Sequence, residues 1–192
     1  MWLLAGPNGA GKSTYAENLE GRVEGIVRPD ELAYRISREA PEAAALTAGR
    51  SAVRLLQEFI YRGASFAVET TLAGKLHLRI AEKAKDDGWR IGLVYIGLMN
   101  ADLAIARVRE RVSNGGHNVP PGDVRRRYER SLDNLSFMLK LADHAIVLDN
   151  SSTRDPMKLV VEAAGGQIRF RIRRLPLWLR APLNALSPSR RS

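Results

Sequence analysis

The 192-residue sequence contains no cysteine, so disulfide bonds and thiolate metal sites are excluded. It also has no apolar run of the roughly 18 residues that a membrane-spanning helix needs. Its first five residues, MWLLA, are too short for a signal peptide and lead directly into a glycine-rich segment. Apolar residues make up 45% and charged residues 27% of the chain, which is typical of a globular protein. We therefore expect a globular protein in the cytoplasm.

Acidic residues are missing from one part of the chain. Residues 166–192 contain no aspartate or glutamate but seven arginines, and these supply seven of the nine net positive charges. We predict a domain over residues 1–165 and a basic tail over 166–192, in which 167–173 alternates like an edge strand and the remainder is flexible. Such a tail favours solubility at least as much as contact with nucleic acid or anionic membrane, so nucleic acid is not the partner that we expect.

Short apolar segments alternate with segments of helical periodicity along the rest of the chain. The predicted strands are Trp2–Ala5, 25–28, 65–68, 90–98 and 145–148. The predicted helices cover 12–19, a segment from residue 29, 48–62, 74–87, 101–112, 123–141 and 153–164. This alternation predicts an α/β fold with a parallel sheet of about five strands and helices on both faces.

The segment GPNGAGKS at residues 6–13 fits the phosphate-binding pattern G-x-x-x-x-G-K-S, with a predicted strand before it and a predicted helix after it. Backbone N–H groups of such a loop surround phosphates, Lys12 reaches the β- and γ-phosphates, and the Ser13 hydroxyl ligates Mg²⁺. We therefore predict the fold of P-loop NTPases and kinases, with ATP and Mg²⁺ as cofactors. The predicted nucleotide-binding residues of the loop are Gly6, Asn8, Gly9, Ala10, Gly11, Lys12, Ser13 and Thr14.

Three carboxylates follow predicted strands, at the edge where open α/β sheets bind ligands. Asp30 is either the base that accepts the proton of an attacking hydroxyl or an acid satisfied by the N–H groups of a helix start. Glu69 either helps to hold the metal and, with Thr70, binds the acceptor, or is a surface acid. Asp149 follows the last predicted strand, so we expect it to shape the nucleotide-base pocket together with Asn150.

Arginines flank a glycine- and proline-rich loop at residues 113–122. Arg107 and Arg111 are four residues apart and share one helix face, and Arg127 belongs to the helix after the loop. Because guanidinium groups suit phosphate geometry, we predict a helical lid over about 107–130 in which these three arginines are catalytic. His117 either contacts a ligand when the lid closes or is a turn residue. The surface arginines are predicted to be Arg109, Arg125 and Arg126.

Seven short segments form an ordered pattern between residues 3 and 151. They are the loop at 6–14, RPDELA at 28–33, ETTL at 69–72, LVYIGL at 93–98, RVxxRVxxGGHxVP at 107–120, RRYxRSLxNL at 126–135 and DNS at 149–151. In this order and spacing they resemble the zeta-toxin family of P-loop kinases. The resemblance implies phosphorylation of UDP-N-acetylglucosamine on the sugar by ATP, with Asp30 as base, Lys12 as phosphate clamp, and Arg111 and Arg127 as lid arginines.

Two functions remain open from the sequence. The first is a kinase that transfers the γ-phosphoryl group of ATP to a hydroxyl of a small molecule, such as a UDP-sugar. The second is an NTP-binding switch or ATPase module whose basic tail docks on nucleic acid or membrane. The sequence shows no surface for binding an antitoxin.

Overall fold

The computed structural model describes residues 1–37, 41–184 and 186. The described residues contain one seven-stranded sheet and seven α-helices. In chain order the strands are β1 (Trp2–Ala5), β2 (Gly25–Val27), β3 (Phe66–Thr70), β4 (Gly92–Gly97), β5 (His144–Asp149), β6 (Lys158–Ala164) and β7 (Gln167–Arg171). The helices are α1 (Lys12–Ala16), α2 (Pro29–Ile36), α3 (Pro41–Tyr61), α4 (Leu76–Asp86), α5 (Ala101–Ser113), α6 (Pro121–Leu141) and α7 (Leu177–Leu183).

The strand order across the sheet is β2-β3-β1-β4-β5-β6-β7. The first five of these strands pair in parallel, so the predicted five-stranded parallel sheet is confirmed. Because the strands run in one direction, their carboxyl ends all open at the same edge of the sheet. The segments that follow β1, β2 and β3, which carry the predicted site residues, therefore meet at that edge.

The predicted helix over residues 153–164 is wrong. Residues Lys158–Ala164 form β6, which pairs antiparallel with β5, and β7 then pairs antiparallel with β6. Gly165 and Gly166 connect the two strands with positive φ angles, as a two-residue hairpin turn requires. Val160, Val161 and Ala163 are buried, and this run of apolar residues hides the alternation by which a strand is usually recognised.

Helices cover both faces of the parallel strands, as predicted. Side chains alternate along β1, so that Leu3 packs with α3, α4 and α7 on one face while Leu4 packs with α1 and α5 on the other. The long helix α6 belongs to both layers, since Tyr128 near its start packs on the second face and Leu135 on the first. The Tyr128 hydroxyl donates to the carbonyl of Leu98, 2.8 Å away, just after β4. This contact holds the first half of α6 against the carboxyl edge of the sheet.

The segment after β7 is packed rather than flexible, which corrects the prediction for residues 177–183. They form α7, whose Trp178, Leu179 and Leu183 side chains are buried. The Trp178 ring lies 5.9 Å from the ring of Tyr95, measured between centroids. These apolar side chains are buried because they extend the core beneath β4. Residues 187–192, with the predicted flexible end of the tail, lie outside the described residues.

No helix in the part of the chain that the structure describes is long and apolar enough to cross a membrane.

Candidate active site

An open cleft of about 940 Å³ lies at the carboxyl edge of the parallel strands. The phosphate loop, the start of α2, the end of β3 and the start of α4 form part of its wall, and α5 and α6 close the other side. The lining includes ten of the predicted site residues within the loop and strand ends: Asn8, Gly9, Ala10, Gly11, Lys12, Ser13, Thr14, Asp30, Glu69 and Thr70. The lid contributes Arg107, Arg111 and Arg127.

The phosphate loop joins β1 to α1 and turns at Gly11, the residue just before α1. Gly11 has a φ of 92°, and a Cβ atom there would lie 2.8 Å from the Met157 methyl and 2.9 Å from the amide nitrogen of Asn150. Only glycine fits this position without strain. The next residue, Lys12, is buried, and its Nζ donates to the carbonyl of Pro7 at 3.0 Å. The ammonium group has two further N–H donors, which suits it to phosphate oxygens.

Four charged residues from separate elements act on Lys12. Burial lowers the pKa of Lys12, and the charges of Glu69 and Asp30 oppose this by raising it. Arg111 and Arg127 lower the pKa of Lys12 further through like-charge repulsion. These residues lie in α2, β3, α5 and α6, so the fold brings distant parts of the sequence around one lysine. A group of cations with two carboxylates beside it can bind a polyphosphate and a reacting hydroxyl together.

Ser13 and Glu69 form the part of the cleft that fits Mg²⁺. The Ser13 hydroxyl lies 3.2 Å from each carboxylate oxygen of Glu69, and hydroxyl and carboxylate oxygens are the ligand type that Mg²⁺ prefers. Within residues 1–37, 41–184 and 186, no group of three or more His, Cys, Asp or Glu side chains is placed to hold a metal ion. A pair of protein oxygens of this kind fits an ion that also takes oxygens from phosphates and water.

Asp30 is the second residue of α2 and is exposed at the cleft. Its carboxylate makes no hydrogen bond or ion pair with any described residue, whereas the adjacent Glu31 is 2.8 Å from Arg35 and 3.7 Å from Arg28. The interpretation of Asp30 as an acid satisfied by backbone N–H groups of the helix start therefore has no support in these contacts. An unpaired carboxylate beside the phosphate loop is available to accept a proton.

Helix α5 is capped at both ends. The Asn100 side chain accepts the N–H of Leu103 at 2.9 Å at the start, as a preferred N-cap does. At the end, the Gly116 N–H donates to the Arg111 carbonyl at 2.9 Å, the long bond of a Schellman turn. The Arg111 guanidinium in turn donates to the carbonyl of His117 at 2.6 Å. Arg111 therefore holds the loop after α5 against the cleft.

One lid arginine has a buried donor without a partner among the described residues, and another contacts the phosphate loop. Nε of Arg111 is buried and has no hydrogen-bond partner among the described residues, although buried donors are nearly always paired. Arg107 packs against the loop so closely that a Cβ atom at Gly9 would lie 3.0 Å from the Arg107 Cβ. Arg107 and Arg111 both line the cleft.

The neighbouring arginines of α6 face away from the cleft. Arg125 is 2.7 Å from Asp102, and Arg126 is 2.8 Å from Asp123, in pairs with exposed side chains. Their surface position agrees with the sequence interpretation. Arg127 is the arginine of this group that lines the cleft.

The structure does not bring every predicted residue to the cleft. Gly6, His117, Asp149 and Asn150 are absent from its lining. Asp149 accepts the N–H of Ser151 at 3.1 Å, and Asn150 donates to the carbonyl of Ala10 at 2.9 Å. Asn150 therefore supports the phosphate loop from behind, and the role of the pair at the nucleotide base stays a prediction.

Sequence reasoning missed His77. It lies in the first turn of α4, lines the cleft, and its Nδ1 is 3.1 Å from the Thr70 hydroxyl. Burial lowers the pKa of His77 to about 4, so the ring is neutral near pH 7. Its position just after β3 could have indicated a place at the cleft, because a helix that follows a ligand-bearing strand begins at the same edge of the sheet.

The strand order, the phosphate loop and the arginine-bearing lid define an α/β protein of the P-loop kinase class. The family model for zeta toxin matches residues 1–155. An uncharacterized protein of Haemophilus influenzae is 33% identical over 135 residues, which cover 67% of this chain and 96% of that protein. The chain therefore belongs to the zeta-toxin family of P-loop kinases, and the resemblance seen in the sequence is confirmed.

Solved structures show the same fold at low sequence identity. A chain from the PezAT chromosomal toxin–antitoxin system of Streptococcus pneumoniae has a TM-score of 0.61 at 17% identity, over 84% of this chain and 71% of that one. A chain of the AvrRxo1-ORF1:-ORF2 complex with ATP has a TM-score of 0.65 at 17% identity, over 87% of this chain and 59% of that one. A putative kinase from Chloroflexus aurantiacus gives 0.51 at 15% identity, over 65% and 74%.

Proposed function

We propose that this ATP-dependent kinase of the zeta-toxin family transfers the γ-phosphoryl group to a hydroxyl of a small molecule, and that a UDP-sugar is the acceptor. The observation that supports the transfer is the composition of a single cleft. Lys12 and the lid arginines provide cations for a triphosphate, and the unpaired carboxylate of Asp30 lines the same space. The UDP-sugar is taken from the family and is the first compound to test.

The proposed reaction is a direct transfer. The acceptor oxygen attacks the γ-phosphorus, the bond from that phosphorus to the oxygen of the leaving ADP breaks, and the hydroxyl proton passes to Asp30. Lys12 binds the β- and γ-phosphates, while Arg107, Arg111 and Arg127 neutralise charge on the transferred group. Closely held arginines of this kind contribute about 10³-fold or more in rate.

Magnesium would be held by Ser13 and Glu69, whose oxygens lie 3.2 Å apart. A bound Mg²⁺ supplies charge neutralisation and orientation of the phosphates. Glu69 is engaged by Ser13 and Glu31 by two arginines, which leaves Asp30 as the free carboxylate of these three. Because Asp30 has no partner among the described residues, we assign the proton of the acceptor hydroxyl to it.

The test is a labelled-ATP transfer assay over UDP-sugars, nucleosides and simple sugars, with Lys12→Ala as the blank. Asp30→Asn should lower the transfer rate by about 10²- to 10⁴-fold, the usual contribution of a general base, while ATP still binds. The matched control is Asp102→Asn, because Asp102 is exposed and paired with Arg125 on the outside of the lid. Should no acceptor be labelled, and ATP hydrolysis be insensitive to Asp30→Asn, the kinase proposal has to be dropped.

A further inference from the structure

A three-residue cluster at the end of β3 has no part in phosphate binding as described above. The Thr70 hydroxyl oxygen accepts the backbone N–H of Leu72 at 3.0 Å and lies 3.1 Å from Nδ1 of His77. Thr70 and His77 both line the cleft, on the wall that continues from Glu69. The cluster therefore lies in the same cleft as Asp30, and the inference below depends on the proposed function.

The contact between Thr70 and His77 is the basis for assigning the proton of the His77 ring. The Thr70 oxygen already accepts from Leu72, and its own hydroxyl hydrogen needs an acceptor. Nδ1 of the neutral His77 ring is the acceptor at hand. A ring that accepts at Nδ1 and is neutral must carry its proton on Nε2. We therefore assign to His77 the tautomer that accepts from Thr70 at Nδ1 and has an N–H donor at Nε2.

Nε2 of His77 is the nitrogen left for a bound molecule. It makes no hydrogen bond to any described residue, while the same ring is mostly buried and lines the cleft. Its donor character does not change near neutral pH, because burial lowers the pKa of His77 to about 4. The contact with Thr70 therefore orients the His77 ring, and burial keeps the ring neutral.

We propose that His77 is a specificity-determining residue that donates a hydrogen bond from Nε2 to an oxygen of the acceptor. In this proposal the reacting hydroxyl of the acceptor donates its proton to Asp30, and a second oxygen of the same molecule accepts from His77. The substrate class that fits both contacts is a compound with two or more oxygen functions, such as a sugar or another polyol. An alcohol with a single oxygen, or an amine in place of the second oxygen, satisfies only Asp30.

The experiment compares each sugar of the transfer panel with its singly deoxygenated analogues, in the wild type and in His77→Leu. Removal of the recognised oxygen should lower kcat/KM of the wild type by about five- to tenfold, as expected for one hydrogen bond. In His77→Leu the kcat/KM for the parent sugar should fall by the same factor. The kcat/KM for the deoxy analogue should be the same in His77→Leu as in the wild type. His77→Gln, whose amide N–H reaches the position of Nε2, should recover part of the loss.

A merely structural role of His77 would give a different pattern. It would lower kcat/KM equally for the parent and the deoxy analogue, and His77→Gln would not restore the preference. The matched control is His144→Leu, because His144 pairs with Glu162 at 2.9 Å and lies outside the cleft lining. Nitrogen-15 NMR of the imidazole provides a second readout, with a neutral Nε2–H ring expected between pH 5 and 8.

Three results overturn the proposal. If sugars are labelled but the deoxy penalty is the same in His77→Leu as in the wild type, His77 does not read the acceptor and the kinase function stands. If the NMR spectrum shows the proton on Nδ1, Thr70 does not set the donor. If the wild type labels no member of the panel, the proposed function and this inference fail together.

Discussion

The burial of Trp178 makes a quantitative prediction about the segment after β7. The side chain is 7% exposed, and a Cβ atom at Gly97 would lie 2.2 Å from the end of its indole ring. The ring therefore occupies space that only a glycine on β4 leaves free. Trp178→Ala should lower the free energy of unfolding by about 3–5 kcal/mol, the usual cost of removing a buried aromatic side chain.

The polar atom of the same ring allows a sharper comparison. Nε1 of Trp178 is buried and has no hydrogen-bond partner among the described residues, so Trp178→Phe loses no hydrogen bond and removes an unpaired donor. We expect Trp178→Phe to cost about 1.5 kcal/mol or less. The matched control is Leu177→Ala, because Leu177 is in the same helix and 76% exposed; its effect should stay within about 0.5 kcal/mol.

The assay is thermal and urea unfolding followed by circular dichroism, which does not depend on tryptophan fluorescence. For a chain of this length about 1 kcal/mol corresponds to 2–4 °C in Tm, so Trp178→Ala should lower Tm by roughly 6–20 °C. A decrease no larger than that of Leu177→Ala would refute the conclusion that α7 is part of the core.

Three further predictions concern the cleft. Arg127→Ala should reduce phosphoryl transfer by about 10³-fold. The control Arg126→Ala, on the same helix, should change the rate by less than about twofold, because Arg126 pairs with Asp123 on the surface. Equal losses in the two variants would mean that the substitutions disturb the helix rather than a contact with phosphate. Ser13→Ala should raise the Mg²⁺ concentration for half-maximal activity by about tenfold or more, and an unchanged Mg²⁺ dependence would exclude Ser13 as a ligand. The pKa of His77 is lowered from 6.5 to about 4, so the unfolded state binds the proton first and the free energy of unfolding falls as the pH drops below 6.5. At pH 5 this loss is roughly 2 kcal/mol. In His77→Gln, unfolding measured as a function of pH should lack this loss.

The local parts of the fold could be predicted from the sequence because their signals are short in range. The phosphate loop is one continuous segment in which glycines, a lysine and a serine have fixed spacing. The five parallel strands are apolar runs between helices, and a run of this kind is buried wherever it lies in the sheet. The carboxylates after β2 and β3 could be placed at one edge because parallel strands end together.

The structure changed the predictions where a segment depends on its neighbours. Residues 158–164 have no strong preference of their own, and β5 turns them into a strand by offering an unpaired edge. The helix α7 carries a proline, Pro182, and three arginines lie just before or within its segment, so its composition indicated a flexible tail. It is ordered because Trp178 fills the space beside Gly97, a contact between residues far apart in the sequence.

The features of the site also separate into those that the sequence predicted and those that depend on the tertiary structure. Residue types and spacing alone determined that the chain has a phosphate loop, acids at strand ends and arginines around a hinge, because each of these is a property of one short segment. The sequence also separated Arg127 from Arg125 and Arg126, and the structure agrees, because Arg127 lines the cleft while Arg125 and Arg126 pair with acids outside it. Only the tertiary structure brought His77 to the cleft and left His117 out of its lining. The direction of a side chain is set by the packing of its helix against the rest of the protein, and no local pattern carries that information.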